Sequence, residues 1–572
     1  MPNHLHKLGL MACPTLVLLA LALCGARAMA QSASFDGVIT DPTNAAVPKA
    51  SVELLQPLTQ TKQATVANGT GFYSIPNVMP GEYTMTVSAP GFKTETRTNV
   101  TATVGAKILL NFILTVGPQV EQVSVNGSGA EIDTTDASVS TVIERNFVEN
   151  LPLNGRSFQS LITLSPGVIV VPSGGVGQSG EISVNGQRTE ANYYTIDGIS
   201  ANTGASVSSA GYPGGGFSGA TPEESALGTT QSIVSIDALQ EFRESTSSYS
   251  AEYGRTPGGQ FSFSTRSGTN SYHGTAFDFL RNDALDAKNY FDTTKLAERQ
   301  NDFGGTLGGA IRIPHLYNGL DKTFFFFSYE GLRLEQPQAS QLYEVPSTNF
   351  RQIAPAVLQP FLNAFPTTTS PDLGDGLANL TVGYSAPSLL DTTSIRVDHG
   401  FGERFKVFGR FSDVPSQSES RQPTDLAQVN ETVRNIKTVV VGADGEINSK
   451  MANGFRFGWT GNDYNSNRYL DNFGGATPFS IGSVPGLSDG SWLTFFLFYG
   501  LYPYYLIEPQ ANTQHQINVV DSLTHNIGRH NFKYGVDYRR LLTSETLPPL
   551  WEVGYYYDEA SVLANAPAGL FV

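Results

Sequence analysis

From Asn531 to Arg539 the side chains alternate: Phe532, Tyr534, Val536 and Tyr538 fall on one face of an extended chain, and Lys533, Gly535, Asp537 and Arg539 on the other. A period of two belongs to β structure and gives the strand one oily and one wet face. The pattern recurs. Phe405, Val407 and Phe411 oppose Arg404, Lys406 and Arg410, and Phe455, Phe457 and Trp459 oppose Gly454, Arg456 and Thr460. Ile395 and Val397 against Arg396 and Asp398 supply a neighbouring strand, joined to the Arg404 segment through a Gly-flanked turn at His399 to Glu403. A soluble sandwich also alternates, but its exposed face is polar and its apolar face is seldom this aromatic. Strands of this kind suit a wall with lipid on one side and a polar lumen on the other. The Phe324 to Phe327 run puts aromatics on both faces, which fits a strand against an inner domain, one in an interfacial girdle, or an isolated sticky strand.

The first thirty residues read as a removed export signal. Lys7 precedes an apolar run from Leu8 to Leu23, and Ala28-Met29-Ala30 gives a small-x-small cleavage pattern that makes Gln31 the expected mature start. The run is shorter than the roughly 20 residues that span a bilayer, and Pro14 interrupts it. Both cysteines, Cys13 and Cys24, fall in this leader, so the mature chain has no thiol for a disulfide, for zinc or for nucleophilic attack. Leu23 stands where a lipidation site needs a small residue, which argues against a lipoprotein reading of Cys24. A net charge of -16 lacks the basic stripe that nucleic acid demands. No other segment reads as a membrane helix, so a membrane location requires a closed β-barrel. Abundant Gly (58), Phe (34) and Tyr (24) fit one, supplying turns and interfacial aromatics.

Ahead of the alternating half lie two regions. Residues 34–115 carry short β-type segments separated by Gly, Pro and Asn clusters: Phe35 to Ile39, Ala50 to Leu54, Gly71 to Ile75, and Pro80 to Val87, closing on Ala89-Pro90-Gly91-Phe92. This order resembles the carboxypeptidase regulatory-like domain, whose seven-stranded, transthyretin-like sandwich is grouped with carbohydrate-binding-like folds and implies no catalysis. Tyr83, Met85 and Val87 are expected in its core rather than on a sugar. Residues 116–135 form a linker rich in Gly, Ser, Asp and Thr.

Residues 136–267 contain L-P-L-N-G-R-S-F-Q-S-L-I-T-L-S-P-G-V from Leu151 and I-S-V-N-G-Q-R-T-E-A-N-Y-Y-T-I-D-G-I-S up to Ser200. A-L-Q-E-F-R (Ala238 to Arg243) and S-A-E-Y-G-R-T-P-G-G-Q-F-S-F-S-T-R-S-G-T-N (Ser250 to Asn270) follow. Together these closely resemble the plug domain of TonB-dependent outer-membrane receptors, with features of the Oar-like subgroup. Short helices are expected over Val142 to Leu151, closed by Pro152, and over Arg156 to Leu164. Loops are expected at Pro172 to Gly180 and Gly211 to Gly219, where Tyr212 and Phe217 are more simply loop anchors than ligand contacts. Asp197 in T-I-D-G-I reads as a turn former.

The resemblance implies a mainly β chain: sandwich, small α/β plug, and an antiparallel transmembrane barrel over 268–572. Such receptors close with about 22 strands, more than about 300 residues supply, so the barrel is expected to be incomplete in this chain, with a smaller barrel as the alternative. The resemblance also implies the bacterial outer membrane with the N-terminal domain in the periplasm, energy-coupled uptake of an extracellular nutrient (saccharide, peptide or siderophore), and a TonB-type periplasmic partner. Glu121, Gln122, Val123, Ser124 and Val125 resemble a TonB box, the extended strand such a partner grips through main-chain hydrogen bonds. The same residues read equally as a last strand of the sandwich or as linker. The alternatives are a passive channel or adhesion factor, or a secreted carbohydrate-binding protein. Neither enzyme nor cofactor is expected: His-Glu-x-x-His, Gly-x-x-x-x-Gly-Lys and Gly-x-Ser-x-Gly are all missing. His525 and His530, without a third ligand nearby, read as a turn rather than a metal site.

Overall fold

The computed structural model describes residues 32–118, 122–126, 139–145, 148, 159–171, 181–202, 204–205, 217–222, 225–227, 233–250, 252–288, 290, 295–448, 450–498, 504–528, 530–546 and 549–571. Within these, β-strands dominate and build three units.

The first is a sandwich. One four-stranded sheet sets Ala33–Thr40 between Phe72–Val78 and the parallel Lys107–Leu109, with Phe112–Ile113 also on Ala33–Thr40. The facing five-stranded sheet runs Thr61–Val66, Ser51–Gln56, Gly81–Ser88, Thr94–Ala102, Gln122–Asn126. Alternation along Gly81–Ser88 buries Tyr83, Met85 and Val87 against Phe35, Val52, Tyr73 and Phe112. These three side chains are core, as their spacing implies.

The second unit is a five-stranded sheet ordered Val139–Glu144, Leu239–Ser247, Gln260–Thr265, Tyr193–Ile196, Ile199–Ser200. The helix expected over Val142 to Leu151 is not what forms at its start. Val142 to Glu144 pair antiparallel with Glu241 to Arg243, and among the described residues only Arg145 and Val148 are helical. β-branched Thr141, Val142 and Ile143 suit a sheet edge, and an available partner strand decides the outcome. The second expected helix is present as Gln159–Ile162, with Leu161 and Ile162 buried and Leu164 exposed. Pro172 to Gly180 and Tyr212 lie outside the described residues, and Phe217 opens the strand Phe217–Thr221.

The third unit is a 12-stranded sheet. Its long hairpins run from His273–Asn282 through Arg299–Ala310, Thr323–Pro346, Leu377–Phe401, Phe405–Gln422, Asp425–Asn448, Met451–Leu470 and Tyr504–Ile527 to His530–Glu545, each antiparallel to the next. The hairpin expected at His399 to Glu403 forms, with pairing running on to Phe401 and Phe405. Among the described residues the first and last of these strands are not paired with each other, so the sheet is not closed. Its outer face exposes Ile395, Val397, Phe405, Phe411, Val441, Phe532, Tyr534 and Tyr538. Arg396, Arg410, Asn518 and Ser522, on the other parity, are buried on the inner face. The Phe324 to Phe327 run divides by the same rule: Phe324 and Phe326 are buried inward, and Phe327 is exposed.

One end of this wall turns tightly between Phe401 and Phe405, Asn448 and Met451, and Ile527 and His530, with one longer link from Ala310 to Thr323; the other carries the long connections from Asn282 to Arg299, Pro346 to Leu377 and Leu470 to Tyr504, with one tight turn between Gln422 and Asp425. Short turns mark the periplasmic end of such sheets. The sandwich sits at that end: Asn68 Nδ2 donates to the Gly528 carbonyl (2.8 Å), and Asn77 Nδ2 to that of Asn453 (3.1 Å).

Candidate functional site: the seams between sandwich, plug and wall

The inner unit is fixed to the wall by a turn. Between Tyr193–Ile196 and Ile199–Ser200 the chain reverses through Asp197 (φ 48°) and Gly198 (φ 92°), the left-handed pair that a tight hairpin needs. That geometry aims the Asp197 carboxylate at the sheet. It accepts from Thr265 N (3.0 Å) and Thr265 Oγ1 (2.8 Å), and pairs with the Arg396 (3.2 Å) and Arg410 (3.0 Å) guanidinium groups of the wall. The side chains are only 2% (Asp197), 4% (Arg396) and 2% (Arg410) exposed, and at such depth an unpaired charge is very costly.

Arg396 also grips Asp398 at 2.8 Å and stacks 4.1 Å over Phe408. Arg456 reaches the same ring at 5.2 Å and pairs with Asp444 at 3.0 Å. Next to the turn, Ser200 N donates to Asn518 Oδ1 and Gln516 Nε2 to the Ser200 carbonyl, both at 2.8 Å. Ile199 lies so close to Gly458 that a Cβ there would fall 2.4 Å from its Cδ1. Phe326, Phe408 and Val440 of the wall complete the inner unit's own apolar core. Asp197 is therefore the turn former its motif implies, and in addition the counter-ion of two arginines.

The second seam joins the sandwich to both other units. The Val104 amide donates to Glu241 Oε1, and Arg243 donates to the Val104 carbonyl at 3.4 Å. The Glu252 carboxylate is shared: Lys107 of the sandwich lies at 3.1 Å and Lys533 of the wall at 2.6 Å. Burial alone would raise the Glu252 carboxyl, but Lys533 and Lys107 together hold it below the usual carboxylate range. Glu241 is the opposite case, pushed up to about 8 by burial against the single amide of Val104. A cavity of about 390 Å³ opens beside this seam, lined in part by Asp36, Lys107, Arg243, Glu252, Tyr253 and Lys533.

The TonB-box candidate lies nearby. Glu121 is outside the described residues. Gln122, Val123, Ser124 and Val125 lie in Gln122–Asn126, parallel to Thr94–Ala102 with Gln122 opposite Thr94 and Val125 opposite Arg97. The segment thus occupies the edge of the five-stranded sheet, in the place that the last-strand reading gives it.

At the far end, the long connections and the strand ends they join pack a separate core that the alternation gave no hint of. Phe350, Leu362, Phe365, Leu493, Phe495 and Tyr505 gather there, with Phe361 stacked on Phe495 at 5.2 Å. His525 and His530 flank the turn after Tyr504–Ile527, and among the described residues no group of three metal-ligating side chains forms.

The family model described as "Outer membrane beta barrel domain" matches residues 264–352 and 350–550, half of the chain. The chain belongs to this outer-membrane β-barrel family. Residues 34–115 match the carboxypeptidase regulatory-like domain. A curated relative, the "TonB-dependent transporter Oar" of Myxococcus xanthus, is 28% identical over 325 residues, covering 54% of this chain and 27% of that protein. The chain thus spans about a quarter of that relative's length. Among solved structures, the outer membrane transporter YddB from Escherichia coli is 12% identical, with a TM-score of 0.46 over 71% of this barrel chain and 48% of its own. The ferric enterobactin receptor PfeA of Pseudomonas aeruginosa is also 12% identical, with a TM-score of 0.41 over 71% of this chain and 50% of its own. The family match and the Oar relative bear out the resemblance drawn from the motifs, and the barrel family places the chain in the outer membrane.

Proposed function

We propose that this barrel chain is part of a TonB-dependent receptor that takes up an extracellular nutrient, a saccharide, peptide or siderophore, by moving its plug. The observation that carries the reading is the Asp197 turn, which seats a small domain against the wall through two buried arginines. A domain held this way blocks the lumen, yet it is attached by polar contacts that can be exchanged. Moving it uphill requires outside energy, because the outer membrane has neither ATP nor a maintained ion gradient. A TonB-type periplasmic protein supplies that energy by gripping an extended segment, and Glu121 to Val125 is the candidate. The carboxypeptidase regulatory-like sandwich would stand on the periplasmic side.

The test is growth of a deletion strain on single nutrient sources, followed by binding of the nutrient so found to the purified receptor. Deleting 121–125 should abolish uptake and leave surface binding intact. Uptake that persists after the deletion and after collapse of the proton-motive force would make the protein a passive channel.

A further inference from the structure

We infer that the N-terminal sandwich is a seated gate, locked to plug and wall together by the Glu252 carboxylate, and that it must leave its seat before the plug can move. Three observations support this. First, Glu252 belongs to the plug but faces one lysine from each neighbour, Lys107 at 3.1 Å and Lys533 at 2.6 Å, so a single side chain keys all three units. Second, the sandwich reaches the plug through Val104, held by Glu241 and Arg243 of Leu239–Ser247. That strand lies inside the plug sheet, between Val139–Glu144 and Gln260–Thr265.

Third, the apolar cores are separate. The sandwich core contains sandwich residues alone, and the plug core draws only on plug and wall. The contacts between sandwich and barrel turns are likewise polar, from Asn68 to Gly528, Asn77 to Asn453, and Asn270 N to the Leu58 carbonyl at 3.1 Å. Val104 is fully buried and belongs to neither core, but the rest of the seam named here is ion pairs and single hydrogen bonds, so opening it exposes far less oily surface than parting an obligate interface.

The direction of force follows from the edge strand. Gln122–Asn126 is hydrogen-bonded to Thr94–Ala102 of the sandwich, so a pull on that segment loads the sandwich. This last step rests on the proposed coupling at 121–125. The seating itself does not.

The experiment reads seating directly, as amide hydrogen exchange of the full chain in outer-membrane vesicles. Lys107 is half-exposed at the sandwich surface, so Lys107→Glu leaves the sandwich folded. Exchange over 103–107 should rise about tenfold in Lys107→Glu and in wild type at high salt, with exchange over 81–88 unchanged. The triple exchange Lys107→Glu, Glu252→Lys, Lys533→Glu should restore protection. Protection over 103–107 that is the same in wild type, in Lys107→Glu and at high salt overturns the gate, as does loosening of 81–88 in step with 103–107. Either result leaves the uptake reading to stand or fall on its own test.

Discussion

The Asp197 carboxylate turns the chain, caps the neighbouring strand and neutralises two wall arginines. Asp197→Asn keeps a residue that tolerates the left-handed turn and removes only the charge. Leaving Arg396 and Arg410 buried without it should cost about 3–5 kcal/mol, read as a lower temperature for the heat-induced mobility shift of the folded chain on a gel. Glu241 gives a pH signature. Its carboxyl is raised from 4.5 to about 8 in the folded chain, so the folded state binds the extra proton and stability falls as pH rises from about 4.5 through about 8. Glu241→Gln keeps an acceptor for the Val104 amide and stays neutral, so its melting temperature should fall less than wild type between about pH 5 and about pH 8. The turn at Asp197 was legible because Asp-Gly has local turn chemistry. Its ionic role was not, because Arg396 lies 199 residues away in sequence and nothing local marks the pair.

Strands with strict alternation were the most legible elements. Phe532, Tyr534 and Tyr538 face outward because their parity leaves no other choice once Lys533, Asp537 and Arg539 face the lumen. Val142 to Glu144 were misread as helix because a short apolar stretch before a proline fits either state, and the partner strand that decides lies about a hundred residues on. The far-end core around Phe350 and Tyr505 went unread for a similar reason: it gathers short helices and strand ends from three separate stretches, after Thr323–Pro346, Met451–Leu470 and His530–Glu545. Close approach of elements gives another test. Gly458→Val should force Ile199 from its place and loosen plug from wall by about 1–3 kcal/mol, and Ile199→Ala should relieve much of that loss. Thermal unfolding of the two single variants and the double variant measures this coupling. On the lipid side, Phe411→Lys should cost about 2–4 kcal/mol if it lies near the bilayer midplane, less toward either interface, measured by folding into vesicles.

Across the whole molecule, the wall is longer than a membrane is thick. Strands such as Leu377–Phe401 (25 residues) and Asp425–Asn448 (24 residues) far exceed the roughly 9–11 residues that cross a bilayer. Outward aromatics and branched aliphatics such as Ile395, Val397, Phe401, Phe405, Phe411, Ile527, Phe532 and Tyr534 lie toward the turns at 401–405 and 527–530. In the proposed receptor, the sandwich stands at the periplasmic mouth and the plug in the lumen, against the polar inner face. Everything about this arrangement follows from which face of the sheet meets lipid. Single cysteines placed at each position from 531 to 539, with Cys13 and Cys24 replaced, can carry a fluorophore read against a quencher confined to the acyl chains. Quenching at 532, 534, 536 and 538 and none at 533, 535, 537 and 539 is the predicted result, and equal quenching or none along the whole strand would contradict a lipid-facing wall.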